Sequence, residues 1–226
     1  MRSPLLLLVP LLACSAGREQ PVPPVDSTPS PTTTVAPADT GEAAALAAAG
    51  GRASRTGPTL TIRLTGGAPP VVLADDSTEG ESYRSFRYHG PLTGAPFHLI
   101  RVGYYEGGSW MLIHESTGRQ RPLDGRPVVA PGGIRLAAGN FDLEAAFEPN
   151  MVEVLRIDGD SLVSEWRVDP ADWGPDSLAW IGDTLTLVQQ WRETAGQYRP
   201  VRVRVARGSS GWSEVGRRVP ADSTRR

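Results

Sequence analysis

The chain has 226 residues, and 25 acidic residues against 23 basic ones give a formal net charge of −2. This near-neutral balance gives no electrostatic reason to expect nucleic acid or an anionic bilayer surface as a partner. Every basic residue is arginine and there is a single cysteine, which excludes a Schiff-base or phosphate-loop lysine, a serine–lysine dyad, a redox cysteine pair and cysteine-ligated zinc.

The chain opens with one positive charge, Arg2, an apolar run from Leu5 to Val9, and then Pro10, Leu11, Leu12, Ala13 and Cys14. A basic start, a short apolar core and small residues at the cut site make an export signal too short to span a bilayer. Leu11-Leu12-Ala13-Cys14 resembles the lipobox of bacterial lipoproteins. The resemblance implies that residues 1–13 are a signal peptide removed before Cys14. It also implies that the Cys14 thiol is diacylglycerated, which consumes the one available thiol nucleophile, and that the new amino terminus is acylated. The expected partner is then a cell-envelope membrane, held through lipid at about 0.8 kcal/mol per buried methylene. By analogy with diderm lipoproteins, Ser15 directs the protein to the outer membrane, either facing the periplasm or exposed.

From Gln20 to about Thr40 the chain is rich in Pro, Thr and Ser, and its few apolar residues are small and scattered. Such a segment cannot offset its ordering entropy and reads as a disordered stalk. Glu42 to Ala49 is alanine-rich, with room for two helical turns, a length that does not hold in water alone. The expected organisation is a stalk over 14–57, one folded domain over 58–217 and a disordered tail over 218–226.

Beyond Pro58, short β-branched and aromatic runs alternate with Gly, Asp, Asn and Pro, which predicts an all-β domain. Strands are expected near 59–65, 70–74, 83–89, 96–105, 109–115, 133–139, 151–158, 161–168, 177–181, 184–191, 198–206 and 211–215. Glu106-Gly107-Gly108 and Asp158-Gly159-Asp160 supply two hairpin turns. Tyr198–Arg207 reads as an edge strand, with Val201, Val203 and Val205 facing one way, Arg202 and Arg204 the other, and Pro200 near its start.

There is also an internal repeat. Ser109–Glu115, Thr117-Gly118, Pro131-Gly132-Gly133 and Ile134–Ala138 correspond to Met151–Ile157, Asp158-Gly159-Asp160, Ile181-Gly182-Asp183 and Thr184–Val188. The period, about 42 residues between the leading strands, suits a four-stranded blade. Over Tyr83–Trp191 this resembles the repeats of Tol-system and WD-repeat β-propellers, although Pro131-Gly132-Gly133 lacks the aspartate of their Pro-Asp-Gly turn. Roughly 160 residues give fewer than four such blades, at the low end for ring closure. The expected architecture is therefore antiparallel strands in propeller-blade-like repeats forming an incomplete or open stack, with a compact β-sandwich as the alternative.

No constellation in the sequence selects a catalytic residue, a metal site or a cofactor. With Glu106–Gly108 as the loop, His114 would face Ile100 and share a face with His98, whereas a two-residue loop would place the two on opposite faces. A third ligand is missing, so His89, His98 and His114 read as ordinary strand histidines. Asp142, Glu144 and Glu148 form one acidic loop, and Asp169, Asp172 and Asp176 surround Trp173 in another. Paired acids suit glycoside chemistry and oxygen-rich loops suit calcium, but turn and capping roles explain them more simply. Trp166, grouped with Leu162 and Val168, and Trp191, grouped with Leu185 and Leu187, read as core.

Trp173 and the hairpin pair Tyr104-Tyr105 beside Glu106 are candidate exposed aromatics for a sugar or a protein partner, with rings folded back to plug the end of the sheet as the simpler alternative. The expected function is a lipid-anchored, non-catalytic envelope module that binds a protein or acts as a scaffold. Its contacts would come from Tyr104, Tyr105, Glu106, Asp142, Glu144, Glu148, Asp172 and Trp173. Glycan binding or hydrolysis by the two acidic loops is the alternative.

Overall fold

A computed structural model describes residues 40–216 and 218–220. It is all-β apart from the helix α1 (Thr40–Ala48) and a 3-10 turn, and it contains four antiparallel sheets. Sheet I is β1 (Ala53–Thr56), β2 (Thr59–Ile62) and β3 (Val71–Ala74). Sheet II is β4 (Arg84–Pro91), β5 (Phe97–Tyr104), β6 (Gly108–His114) and β7 (Gln120–Leu123). Sheet III is β8 (Arg126–Val129), β9 (Arg135–Asn140), β10 (Met151–Asp158) and β11 (Ser161–Val168). Sheet IV is β12 (Trp173–Ile181), β13 (Thr184–Thr194), β14 (Gln197–Gly208) and β15 (Gly211–Glu214), with β16 (Val219–Pro220) also paired to β14. Each sheet is a meander in chain order, and none closes on itself.

The sheets stack face to face because the inner ones are apolar on both sides. Ile100, Val102 and Ile113 of sheet II pack against Leu60, Ile62 and Leu73 of sheet I. Their neighbours Phe97, Leu99 and Leu112 point the other way, onto Leu136 and Leu155 of sheet III. Val152 and Val154 on the far side of sheet III meet Leu185, Leu187, Val201, Val203 and Val205 of sheet IV. Period-two alternation thus serves two cores at once, which is why β5 and β10 read as nearly continuous apolar runs.

Polar clasps hold each joint. Between sheets I and II, Glu42 of α1 and Asp75 accept the Tyr88 and Phe86 amides on the free edge of β4, at 2.8 and 2.7 Å. Arg55 bridges both acids, at 3.0 and 3.1 Å, and donates to the Phe86 carbonyl. Arg119 reaches Asp160 across joint II–III at 3.0 Å. At joint III–IV, the side chain of Glu165 is only 10% exposed and accepts from Arg135 at 2.7 Å and from the Trp212 indole at 3.2 Å. Arg156 and Arg207 approach it at 3.7 Å.

Several expectations are corrected. Residues 40–57 are not stalk: α1 covers the edge of β4 and β1 pairs with β2, so the fold begins at least eighteen positions earlier than position 58. The alanine-rich helix holds because Ala45, Leu46 and Ala49 join the first core, a tertiary contribution that overrides its short length. At the other end, β16 places Val219 and Pro220 beside β14, within the expected tail. The signal peptide, Cys14, residues 15–39 and residues 221–226 lie outside the described residues.

β14 is not an edge strand, since β13 flanks it on one side and β15 and β16 on the other. Pro200 falls beyond the stretch those two short strands cover. The valine-in, arginine-out alternation is as expected. A bulge inserts Glu165 opposite Val154/Leu155, so Leu162 faces the second core while Trp166 and Val168 face the third. Those three residues therefore do not share a face.

The β5–β6 hairpin turns through Tyr104–Gly107, with Gly103 opposite Gly108 and φ of 82° at Gly107. His114 consequently pairs with Phe97 and His98 with Ile113, an odd shift that puts the two histidines on opposite faces. His98 is buried in the first core with Nδ1 3.0 Å from the Tyr88 hydroxyl. Burial, aided by the Arg52 charge, lowers its pKa, and burial pushes the Tyr88 hydroxyl up to about 12.

Burial raises the Glu165 pKa, but the Arg135 and Trp212 hydrogen bonds and the arginine charges outweigh it and leave the carboxyl below its ordinary value. A group depressed in the folded state stabilises fully above its unfolded pKa and loses that contribution as pH falls through the folded value. Glu165→Gln is expected to cost about 2–3 kcal/mol at pH 7. The difference from wild type should shrink as urea midpoints are taken progressively below pH 4.5. An unchanged difference at pH 3 would contradict the clasp.

Candidate functional site

The three loop stretches singled out in the sequence come together at one end of the stack. The β9–β10 loop, residues 141–150, is the organiser. Asp142 folds its carboxylate back onto the loop and accepts the amides of Ala145 at 3.1 Å, Ala146 at 2.8 Å and Glu148 at 2.7 Å. This small internal cap holds Ala146 at φ 53°, the one positive φ outside glycine among the described residues.

The other two acids of the loop reach sideways to neighbouring sheets. Glu148 accepts the Gly108 amide at the β5–β6 hairpin, and Arg101 holds the Gly108 carbonyl at 3.0 Å. Gly107 must lack a side chain here, because a Cβ would press into the Glu148 carboxylate, and its φ is positive. On the opposite flank, Glu144 accepts the Tyr198 hydroxyl and the Gly196 amide at the β13–β14 turn. Asn150 closes the base of the loop by donating to the carbonyls of Pro170 at 2.7 Å and Trp173 at 2.8 Å, while its oxygen accepts the Asp142 amide at 3.3 Å. Arg192 adds bonds to the carbonyls of Leu143 and Ala171. One loop thereby ties sheets II, III and IV at a single end.

These contacts set the electrostatics. Burial is the largest single influence on the Asp142 pKa and raises it, but the four amides at Glu148, Ala146, Phe147 and Ala145 together outweigh it, so its carboxyl lies below its ordinary value. Glu144 is likewise lowered, chiefly by the Tyr198 hydroxyl and then by the Gly196 amide; the same bond raises Tyr198. Both acids stay ionised at neutral pH and act as acceptors for the backbone and side chains that surround them.

The aromatic candidates divide. Trp173 is not in a loop: it is the first residue of β12, opposite Trp191 at 6.4 Å between ring centroids, and packs half-buried on the third core. It seals the end of sheet IV. The strand reaches back to Trp173 because a bulge between Pro175 and Ser177 absorbs the break that the Gly-Pro-Asp run suggests. Asp172 contributes its backbone carbonyl to the Arg192 amide. Asp169 is paired with Arg167 at 2.8 Å. Tyr104 bonds Ser109 through its hydroxyl at 3.0 Å and lies under the Arg84 guanidinium. Tyr105 is 65% exposed at the hairpin tip beside the exposed Glu106.

Sequence reasoning missed Asn150, Phe141 and Tyr198. Phe141 and Tyr198 form an edge-to-face pair, 5.2 Å between centroids at 76°. The available signal was the unusual run Glu148-Pro149-Asn150, an asparagine directly before a buried strand, where a side-chain amide commonly serves the backbone. No group of three or more His, Cys, Asp or Glu side chains is placed to hold a metal ion among the described residues. No helix among them is long and apolar enough to cross a membrane. No protein-family model matches the chain, and no curated protein matches it significantly.

Asp142→Ala removes the internal cap. Amide exchange at Ala145, Ala146 and Glu148 is expected to speed up at least about tenfold while core amides of β10 keep their protection. Equal exchange in wild type and variant would show that the carboxylate does not hold the loop.

Proposed function

We propose that the chain is a lipid-anchored cell-envelope protein whose β domain is non-catalytic and holds a protein partner near the membrane, as a binding module or scaffold. Support for the address comes from Leu11-Leu12-Ala13-Cys14 following a short export signal. The observation that carries the binding role is the single end surface built from the 104–108, 141–150 and 169–173 stretches. Asp142, Glu144 and Glu148 hold backbone amides and a hydroxyl there, and the hairpin tip exposes Tyr105 and Glu106. Carboxylates spent in this way fix a surface; a catalytic pair would instead converge on an open cleft.

We also read the architecture as an open, propeller-like stack. Each sheet is a chain-order meander, and β12 lies against β8 and β9 while β15 lies against β11, so first strands face first strands and last face last. The sequence repeat has the same phase, since it aligns β6 with β10 and β9 with β13, the third and second strands of successive sheets. A compact sandwich would place only two sheets face to face. In an open stack the loop ends of successive sheets lie side by side and offer one broad contact area.

In cells fed a labelled fatty acid, the full-length protein is expected to take up label and sediment with membranes, and Cys14→Ala to do neither. After in-cell crosslinking, mass spectrometry should recover an envelope protein with the wild type and lose it with Cys14→Ala. Labelling that persists in Cys14→Ala would overturn the anchor. A partner set identical in both forms would overturn the membrane-dependent role.

A further inference from the structure

Beside the 141–150 loop, a hollow of about 450 Å³ opens between that loop and sheet IV, lined by Phe141, Pro175, Asp176, Gln190 and Tyr198. We infer that this hollow is a carbohydrate subsite, with Phe141 and Tyr198 as its apolar platform and Asp176 and Gln190 as its hydroxyl-binding groups. It shares only Phe141 with the end surface assigned to partner binding, its polar groups Asp176 and Gln190 lie outside that surface, and it does not depend on the lipid anchor.

Four observations support the assignment. First, the volume is in the range of small-ligand pockets, about 300–1,000 Å³. Second, Phe141 keeps 37% of its surface in water although it sits in a tightly held loop. An apolar ring kept exposed costs the free protein hydrophobic burial, which a ligand would supply. Third, the platform is fixed before any ligand arrives. Glu144 holds the Tyr198 hydroxyl, and Phe141 lies over Gly174, where any Cβ would collide with its ring. The strained Ala146 belongs to the same loop, as expected where backbone geometry serves a site.

The fourth observation selects the ligand class. In an edge-to-face pair one ring covers the face of the other, so a single flat platform is left. A flat platform suits the apolar C–H face of a pyranose and does not form the multi-sided box that cages a cation. The hollow's one charged side chain is the acid Asp176, and no arginine lines it, which disfavours anionic ligands. A carboxylate acceptor beside an amide that both donates and accepts matches the alternating demands of vicinal hydroxyls. The class is therefore a neutral or N-acetylated hexopyranose, for which short 1,4-linked oligosaccharides serve as probes.

The test is calorimetric titration of the full-length protein in detergent with chitotetraose, cellotetraose and maltotetraose. At least one is expected to bind with a Kd of about 1 mM or tighter. Asp176→Asn and Gln190→Ala are each expected to weaken it about tenfold, about the value of one polar contact, with an unchanged melting temperature. Phe141→Ala should abolish binding, and the two polar variants keep the test valid if that variant loosens its loop. Absence of binding by all three up to about 10 mM, or an affinity unchanged in both polar variants, would overturn the subsite. Neither result would bear on the protein partner, which is read out separately by crosslinking.

Discussion

Sheets II and III carry apolar side chains on both faces, and neither face can be left in water. That constraint forces the stack. A four-stranded meander with Phe97 and Leu99 on one side and Ile100 and Val102 on the other is stable only between two neighbours. The same residues that fold each sheet therefore also join it to the next. Apolar contact is non-directional, however, and does not by itself fix how one sheet is rotated on another. The clasps supply that direction: Glu42, Arg55 and Asp75 at the first joint, Arg119 and Asp160 at the second, Glu165 and Arg135 at the third.

Edges follow the same logic. The free amides of β4 would be open to pairing by any passing strand, and α1 and the turn after β3 occupy them with carboxylates. Proline does this work in β7 and β8, where Pro122 and Pro127 sit on short edge strands. At the far end, β15 and β16 share the outer side of β14. An open stack remains discrete when its exposed strands are covered, shortened or interrupted in these ways.

Much of the fold was legible because alternation and turn residues carry it. Met151–Asp158 and Ser161–Val168 are strands with the bounds read from the sequence, joined at Asp158-Gly159-Asp160. What was not legible has local causes. β7 and β8 contain proline and arginine and read as loop, since pairing to a neighbour is a tertiary fact. β1 and α1 lie in polar or alanine-rich sequence whose order comes from the pairing of β1 with β2 and the contacts of α1 with β4. The Glu165 bulge and the register of the β5–β6 turn each move side chains to the other face, which composition does not reveal. At the site, the acidic loops were visible, but their role was not. Asp142, Glu144 and Glu148 look alike in sequence, and only the fold shows one capping its own loop while the others reach Tyr198 and Gly108. Gly-Pro-Asp after Trp173 left open whether the ring is exposed or plugs the sheet end; β12 absorbs that run as a bulge and the ring plugs the end.

The loop end of the stack is proposed as the contact surface of an anchored protein. That role is tested most directly by site-specific photocrosslinking in intact cells, with the photoreactive residue placed at Tyr105 on the hairpin tip or at Asp183 at the opposite end. A discrete adduct with an envelope protein is expected from position 105, little or none from position 183, and loss of the adduct when Cys14→Ala is added. Equal adducts from both ends, or none from position 105 in membrane-bound protein, would contradict it.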